Sequence, residues 1–380
     1  MKKFFFSLLF FSISFSISAK ATEFYEPYQS IRQLGMGGVY VFSEHDANSF
    51  MQNPAYSCLL KGFNWSIVDL KLALGDIGSY QTLTAGTGSL PNPTGLSGLA
   101  PFYGKNLWVD VGGVASISTA CMGISAYYSG MASFKLRDPA FPNLNTYYLT
   151  DYGFKVGVAF PISSTVSVGV DAKRVTRKGG PYVFGPDTLT ALTGANGLQN
   201  LVSSIQNEGL GYGLDMGVVT RLSNLPFNPT ASLSWQDLGS TAFNKTAGTT
   251  SPDRQHDNLV LGMTVDGSLP LLGLAAGIEY RHITEQGAQL GQKLHIGTEL
   301  SLAFLDVRAG FYQGYTTYGV GVDLWLLQVD AALYSVEKGF YPGQTPDQRA
   351  QIGLQMNLEF DPDFNLVDSG GKKRRLKQRR

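Results

Sequence analysis

From Gly62 to Phe360 the sequence is a succession of runs in which apolar and polar residues alternate, and this period of two restricts the fold more than any other feature. Successive side chains of an extended strand point to opposite faces, so alternation sorts an apolar face from a polar one. The last run is the clearest case. Ala350, Ile352, Leu354, Met356, Leu358 and Phe360 share one face, and Arg349, Gln351, Gly353, Gln355, Asn357 and Glu359 share the other. The runs beginning at Tyr152, Leu294 and Tyr318 repeat the pattern. An unbroken apolar face can meet lipid, whereas a face of glycine, amides and charges can line a wet lumen.

Fourteen such runs lie near 63–74, 106–118, 121–135, 146–160, 164–178, 209–222, 228–238, 257–266, 269–283, 292–303, 305–314, 317–326, 327–338 and 349–360. Their length suits a tilted crossing of a bilayer. Connections at 75–105, 179–208 and 239–256 are long and follow odd runs; those at 118–120, 161–163, 223–227 and 268 are short and follow even runs. Outer-membrane barrels segregate long outer loops from short periplasmic turns, and an even strand number closes an antiparallel barrel with no edge in lipid. The expected fold is therefore all-β and membrane-embedded: an antiparallel transmembrane β-barrel of about fourteen strands over residues 63–360. Charged residues at 15%, aromatics at 12% and 45 glycines fit strands and tight turns better than a soluble helical enzyme.

The start of the chain sets the compartment. Met1-Lys2-Lys3, an apolar Ser-rich run from Phe4 to Ser18 and the small-x-small Ala19-Lys20-Ala21 read as a signal peptide over residues 1–21, with the mature chain starting near Thr22. Residues 22–62 stand outside the strand series and are expected to form a hatch inside the barrel. Gly35, Gly37 and Gly38 permit close backbone approach. A short helix is predicted from Glu44 to Met51 with Ser43 as its N-cap.

Arg32-Gln33-Leu34-Gly35-Met36-Gly37-Gly38-Val39-Tyr40-Val41, then Asp46-Ala47-Asn48, then Asn53-Pro54-Ala55, resembles the opening of the FadL-like superfamily of outer-membrane barrels. That superfamily holds long-chain fatty-acid transporters, aromatic-hydrocarbon channels and the PorV-like barrels of a secretion system. The resemblance implies an N-terminal hatch followed by a fourteen-stranded barrel, in monomeric form, and either solute transport or a scaffold role. A transporter would take a hydrophobic small molecule at its outer loops, pass it by the hatch and release it sideways into the membrane.

The apolar loop positions expected to capture such a ligand are Leu90, Leu96, Leu99, Phe102 and Tyr103 in the first loop, with Leu198, Leu201, Val202 and Ile205 in the 179–208 loop, where a helical spacing recurs. Cys58 and Cys121 are candidates for a disulfide that pins the hatch to the barrel, in an oxidising compartment. Phe360 ends the last run, where barrel-assembly machinery reads an aromatic residue. Inward charges of both signs, among them Asp110, Lys155, Asp171, Lys173, Asp215, Glu279, Arg281, Glu299, Asp306, Arg308, Asp323 and Asp330, are expected to pair.

The zero net charge hides an asymmetry: residues 361–380 carry seven Lys/Arg against three Asp. That tail reads as a disordered periplasmic segment, or as a handle for an anionic partner such as headgroups of the inner leaflet. Both termini are expected in the periplasm, outer-membrane lipid as the surroundings, and no nucleic-acid partner. His45, His256, His282 and His295 show no HxH or HExxH spacing and no G-x-S-x-G occurs, so no metal, cofactor or catalytic site is expected.

Overall fold

The computed structural model describes residues 24–26, 28–85, 97–186, 207–269, 272–324, 326–360 and 366–367. Six strands come first: β1 (Phe63–Gly75), β2 (Asn106–Thr119), β3 (Met122–Arg137), β4 (Asn143–Pro161), β5 (Val166–Phe184) and β6 (Glu208–Arg221). Next are β7 (Thr230–Gln236), β8 (Phe243–Ala247), β9 (Asn258–Leu269), β10 (Leu272–Tyr280) and β11 (Leu294–Leu302). The chain closes with β12 (Leu305–Tyr312), β13 (Tyr315–Leu324), β14 (Leu327–Glu337), β15 (Pro346–Phe360) and the two-residue β16 (Leu366–Val367).

Each barrel strand pairs antiparallel with the next, and β15 pairs back onto β1 from Phe63↔Phe360 to Gly75↔Arg349. The circuit runs from β1 to β7 and from β9 to β15, a closed barrel of fourteen strands. Closure pairs the last barrel strand with the first and leaves no open seam in the ring. Two short strands lie off it: β8 extends the long-loop end of β6, and β16 pairs with the end of β15. The connection 239–256 therefore holds a strand where the sequence showed only a loop. β5 also runs to Phe184, past the predicted end at 178, and residues 187–206 with their predicted helix lie outside the described residues.

Alternation is realised as two faces. Leu70, Phe154, Met263, Val320 and Ile352 stand exposed on the outside, an apolar belt that water would penalise and a bilayer accepts. Inside are small, polar and charged residues, with the hatch packed among them.

The hatch begins with a one-turn helix over Ile31–Gly35, capped by the Ser30 hydroxyl, which accepts from the Gln33 N–H at 3.1 Å. Met36-Gly37-Gly38 then turns with φ of +68° at Gly37 and +87° at Gly38, a region that favours glycine. Here hatch and wall touch backbone to backbone. A Cβ on Gly297 of β11 would lie 2.0 Å from the Met36 carbonyl oxygen, and one on Gly310 of β12 would lie 2.3 Å from the Gly37 nitrogen. The predicted helix over 44–51 is shorter than expected: it spans Ser49–Gln52 and starts after Asn48, not Ser43. Asp46 takes the Asn48 N–H at 2.8 Å and the Tyr40 hydroxyl at 2.7 Å, and this local bonding holds residues 43–48 as a turn. A 3-10 helix over Pro54–Leu59 follows. Asn53 caps it by accepting the Ala55 N–H at 2.9 Å, and the Asn53 amide donates to the Leu233 carbonyl of β7 at 3.1 Å. Pro54 lies against Gly169 of β5, where a Cβ would stand 2.5 Å from the proline carbonyl carbon. Cys58 is joined to Cys121, in the turn between β2 and β3, by a disulfide.

Candidate functional site

The hatch rises to Phe24, Tyr25 and Glu26, and these three residues floor a cavity of about 1080 Å³ on the long-loop side of the barrel. The floor is held from three directions. The Phe24 ring stacks on His282, after β10, with centroids 4.2 Å apart. The Tyr25 hydroxyl donates to Ser129 of β3 at 3.2 Å, and its carbonyl accepts from the Gln255 amide at 2.9 Å. Glu26 accepts from Arg281, from the Gln29 amide at 2.9 Å, and lies 3.0 Å from His282 Nε2. Burial pushes the Glu26 carboxyl up, but Arg281 and His282 outweigh it and hold the group down at about 2.

The walls are mostly polar. Arg177 of β5 grips Asp151 of β4 with two hydrogen bonds of 2.8 and 2.6 Å. Its guanidinium is 4.5 Å from the Phe243 ring centroid and 5.4 Å from that of Tyr25. Further round the wall Arg349 of β15 stacks over Trp108 of β2 at 3.8 Å and bonds Asp347 at 2.8 Å. Lys135, Arg137 and Arg254 also line the space, and none of the three has an ion-pair partner among the described residues.

Below the floor the lumen is crossed by paired charges. Arg32 of the hatch pairs with Glu299 of β11 at 2.7 Å, and Arg308 of β12 joins Glu299 at 2.6 Å, Asp306 at 2.8 Å and Asp330 at 2.5 Å. Lys155 bridges Asp171 at 2.9 Å and Asp215 at 2.7 Å, and Lys173 bridges Asp215 at 3.0 Å and Asp237 at 2.8 Å. Arg281 pairs with Glu279 at 3.0 Å and Lys71 with Asp110 at 3.4 Å. Such pairing is what buried charges require.

Of the apolar loop positions marked for ligand capture, Leu90, Leu96, Leu198, Leu201, Val202 and Ile205 lie outside the described residues. Leu99 falls in the 3-10 helix Ser97–Phe102, with its side chain outside the description. Phe102 and Tyr103 do not line the cavity. They pack with Leu136, Phe184, Leu144 and Tyr148 on the tops of β3, β4 and β5. The cavity floor instead uses Phe24, Tyr25, Glu26 and His282, which sequence reasoning passed over because no motif joins residues this far apart. Among the described residues no group of His, Cys, Asp and Glu is arranged to hold a metal.

A closed barrel with an apolar outer belt, a charged lumen and an internal hatch defines the class: a plugged transmembrane β-barrel of outer-membrane type. No family model matches the chain, and no curated protein does. Solved structures similar to it include the CymD monoaromatic hydrocarbon channel, at 12% identity over 86% of this chain and 96% of that one, with a TM-score of 0.49. The toluene transporter TodX of Pseudomonas putida is 12% identical over 88% of this chain and 99% of that one, TM-score 0.48. A FadL homologue of Pseudomonas aeruginosa is 10% identical over 88% and 98%, TM-score 0.38. These are likenesses of fold, alongside the FadL-like resemblance of residues 32–55.

Proposed function

We propose that this chain is an outer-membrane channel for uptake of small hydrophobic molecules, of fatty-acid or hydrocarbon type, captured at the outer mouth and released sideways past the hatch into the membrane. The observation that carries this reading is a break in the wall beside the hatch. β1 bulges at Ile67–Val68: its pairing with β2 passes from Ser66↔Ser116 directly to Asp69↔Val114. A bulge removes ladder bonds and bends the strand. Next to it a slot of about 10 Å³ is lined both by the hatch residues Tyr28 and Ile31 and by Gly113 and the outward-facing Tyr128. Straight descent would take an apolar solute past the whole series of paired charges, at a desolvation cost; of those charges the slot meets only Asp69 and Lys71 on its inner side, and it leads to the outer face at Tyr128. Lys135, Arg137 and Arg254 at the mouth, without ion-pair partners among the described residues, suit an anionic headgroup. The short-turn end, with Phe360, would face the periplasm and the assembly machinery.

Transfer of a fluorescent fatty acid and of toluene into liposomes carrying the barrel tests this. Deleting Ile67, to restore regular pairing, together with Gly113→Val should slow transfer about tenfold, a barrier change of ~1.4 kcal/mol, while heat-modifiable gel mobility stays that of a folded barrel. Unchanged transfer through the folded variant would sink the reading.

A second reading is a non-transporting, PorV-like scaffold that docks a partner protein. The fixing of the hatch by the Cys58–Cys121 disulfide and by Arg32–Glu299 favours a plug that stays shut. On this reading the bulge deletion changes nothing, and removing the basic tail at 361–380 loses a co-purifying protein.

A further inference from the structure

We infer that a polar conduit, separate from the sideways slot's outlet to lipid, runs the length of the lumen past the hatch, that Lys71 closes it, and that it carries water and small monovalent cations. Four cavities share walls in sequence. The outer cavity of about 1080 Å³ and a smaller one of about 40 Å³ have Phe24, Tyr25, Glu26, Trp108 and Met131 in common. The second meets the slot of about 10 Å³ at Gln29 and Lys71. That slot meets a chamber of about 280 Å³ at Tyr28, Ser30, Ile31 and Asp69. The chamber is lined by Gln328, Asn357 and Glu359, near the strand ends on the short-turn rim.

The neck is the size of one water, since a water needs roughly 10–15 Å³ of such space, and Lys71 lines both the neck and the cavity above it. Its stem lies flat on β2 because position 112 is glycine: a Cβ there would stand 2.3 Å from Lys71 Cε. Its ammonium reaches Asp110 at 3.4 Å. Beyond it the Tyr28 hydroxyl donates to Asp69 at 3.2 Å. The path is polar along Gln29, Asp110, Gln351, Ser30 and Asp69. Seven carboxylates and two arginines line the lower chamber, and carboxylate-rich pores favour cations. Asp69 and Asp110 flank the lysine, so withdrawing its charge leaves an acidic neck.

Conductance of the full-length barrel in planar bilayers, with KCl on both sides, decides the matter. The native protein should be nearly closed. Lys71→Ala should conduct about tenfold more, with a reversal potential on the potassium side of zero in a KCl gradient. Gly112→Ala reaches the same state by another route, because its methyl displaces the lysine stem. Asp69→Asn added to Lys71→Ala should move the reversal potential toward zero. Native-level conductance in both single variants, each shown folded by gel mobility, overturns the conduit, and an anion-preferring current overturns its cargo.

Discussion

Two arcs of the barrel wall handle the same problem differently. In the tall arc, β3 to β6, strands run 14 to 19 residues; in the short arc, β10 to β13, they run 8 to 10. The tall arc carries a buried charge ladder that runs from strand to strand. Lys155, Asp171, Asp215 and Lys173 link neighbouring strands, and Arg177 links β5 to β4. The short arc leans on the hatch. Glu299 takes Arg32, Glu279 takes the Tyr40 N–H at 2.9 Å, His295 Nδ1 lies 2.7 Å from the Gly37 carbonyl, and Thr317 accepts the Gly37 N–H at 3.0 Å. Both arcs touch the hatch, but different parts of it: Phe50 and the Pro54–Leu59 helix lie against the tall arc and the Gly37-Gly38 turn against the short one, so disturbing that turn should be felt mainly in the short arc.

The largest expected effect lies in the tall arc. Lys155→Met leaves Asp171 and Asp215 short of a counter-charge in a buried site, and breaking such a pair costs about 3–5 kcal/mol. Denaturant unfolding of the barrel in micelles measures it; a loss below ~1 kcal/mol would mean that the ladder is not what braces the tall arc. Next comes the short arc. Gly310→Val drives a side chain into the Gly37 backbone, 2.3 Å from the Cβ position, and overpacking of this kind costs roughly 1–3 kcal/mol. Hydrogen exchange should quicken at Met36–Val39 and along β11 to β13 while β3 to β6 stay protected; equal loosening of both arcs would erase the distinction. The smallest effect is one of pH. The Glu26 carboxyl is held at about 2, below its ordinary 4.5. Its contribution is therefore full above pH 4.5 and fades as pH falls toward 2. Exchange at Phe24, Tyr25 and Gln29 should rise across that window, and Glu26→Gln should flatten the rise.

The barrel was legible because its signal is periodic and repeated: lipid and lumen impose opposite polarity on adjacent residues, and fourteen runs record it. The glycines of the hatch were legible as a demand for close approach, although their partners Gly297 and Gly310 were not, since a strand glycine has the same appearance whether it faces water or a backbone. Charge pairing was foreseeable in kind and not in detail. Lys173 bonds Asp237, which lies beyond the end of β7, and only the fold puts them together. Polarity of the outer cavity escaped the sequence for the opposite reason: Phe102 and Tyr103 are as apolar as expected, but they pack against strand tops, and nothing in residue type tells a packed aromatic from one waiting for a ligand.

The seam between β1 and β15 has a consequence for biogenesis. It joins Phe63 to Phe360, so the circumference is completed only when the last strand docks, by contacts of very long sequence separation, which form slowly. The plug precedes β1 in the chain and touches strands from β2 to β15. Closing the ring therefore brings the chain's first folded segment and its last strand into one shell, so a late detachment of either end would open the wall and loosen the plug together.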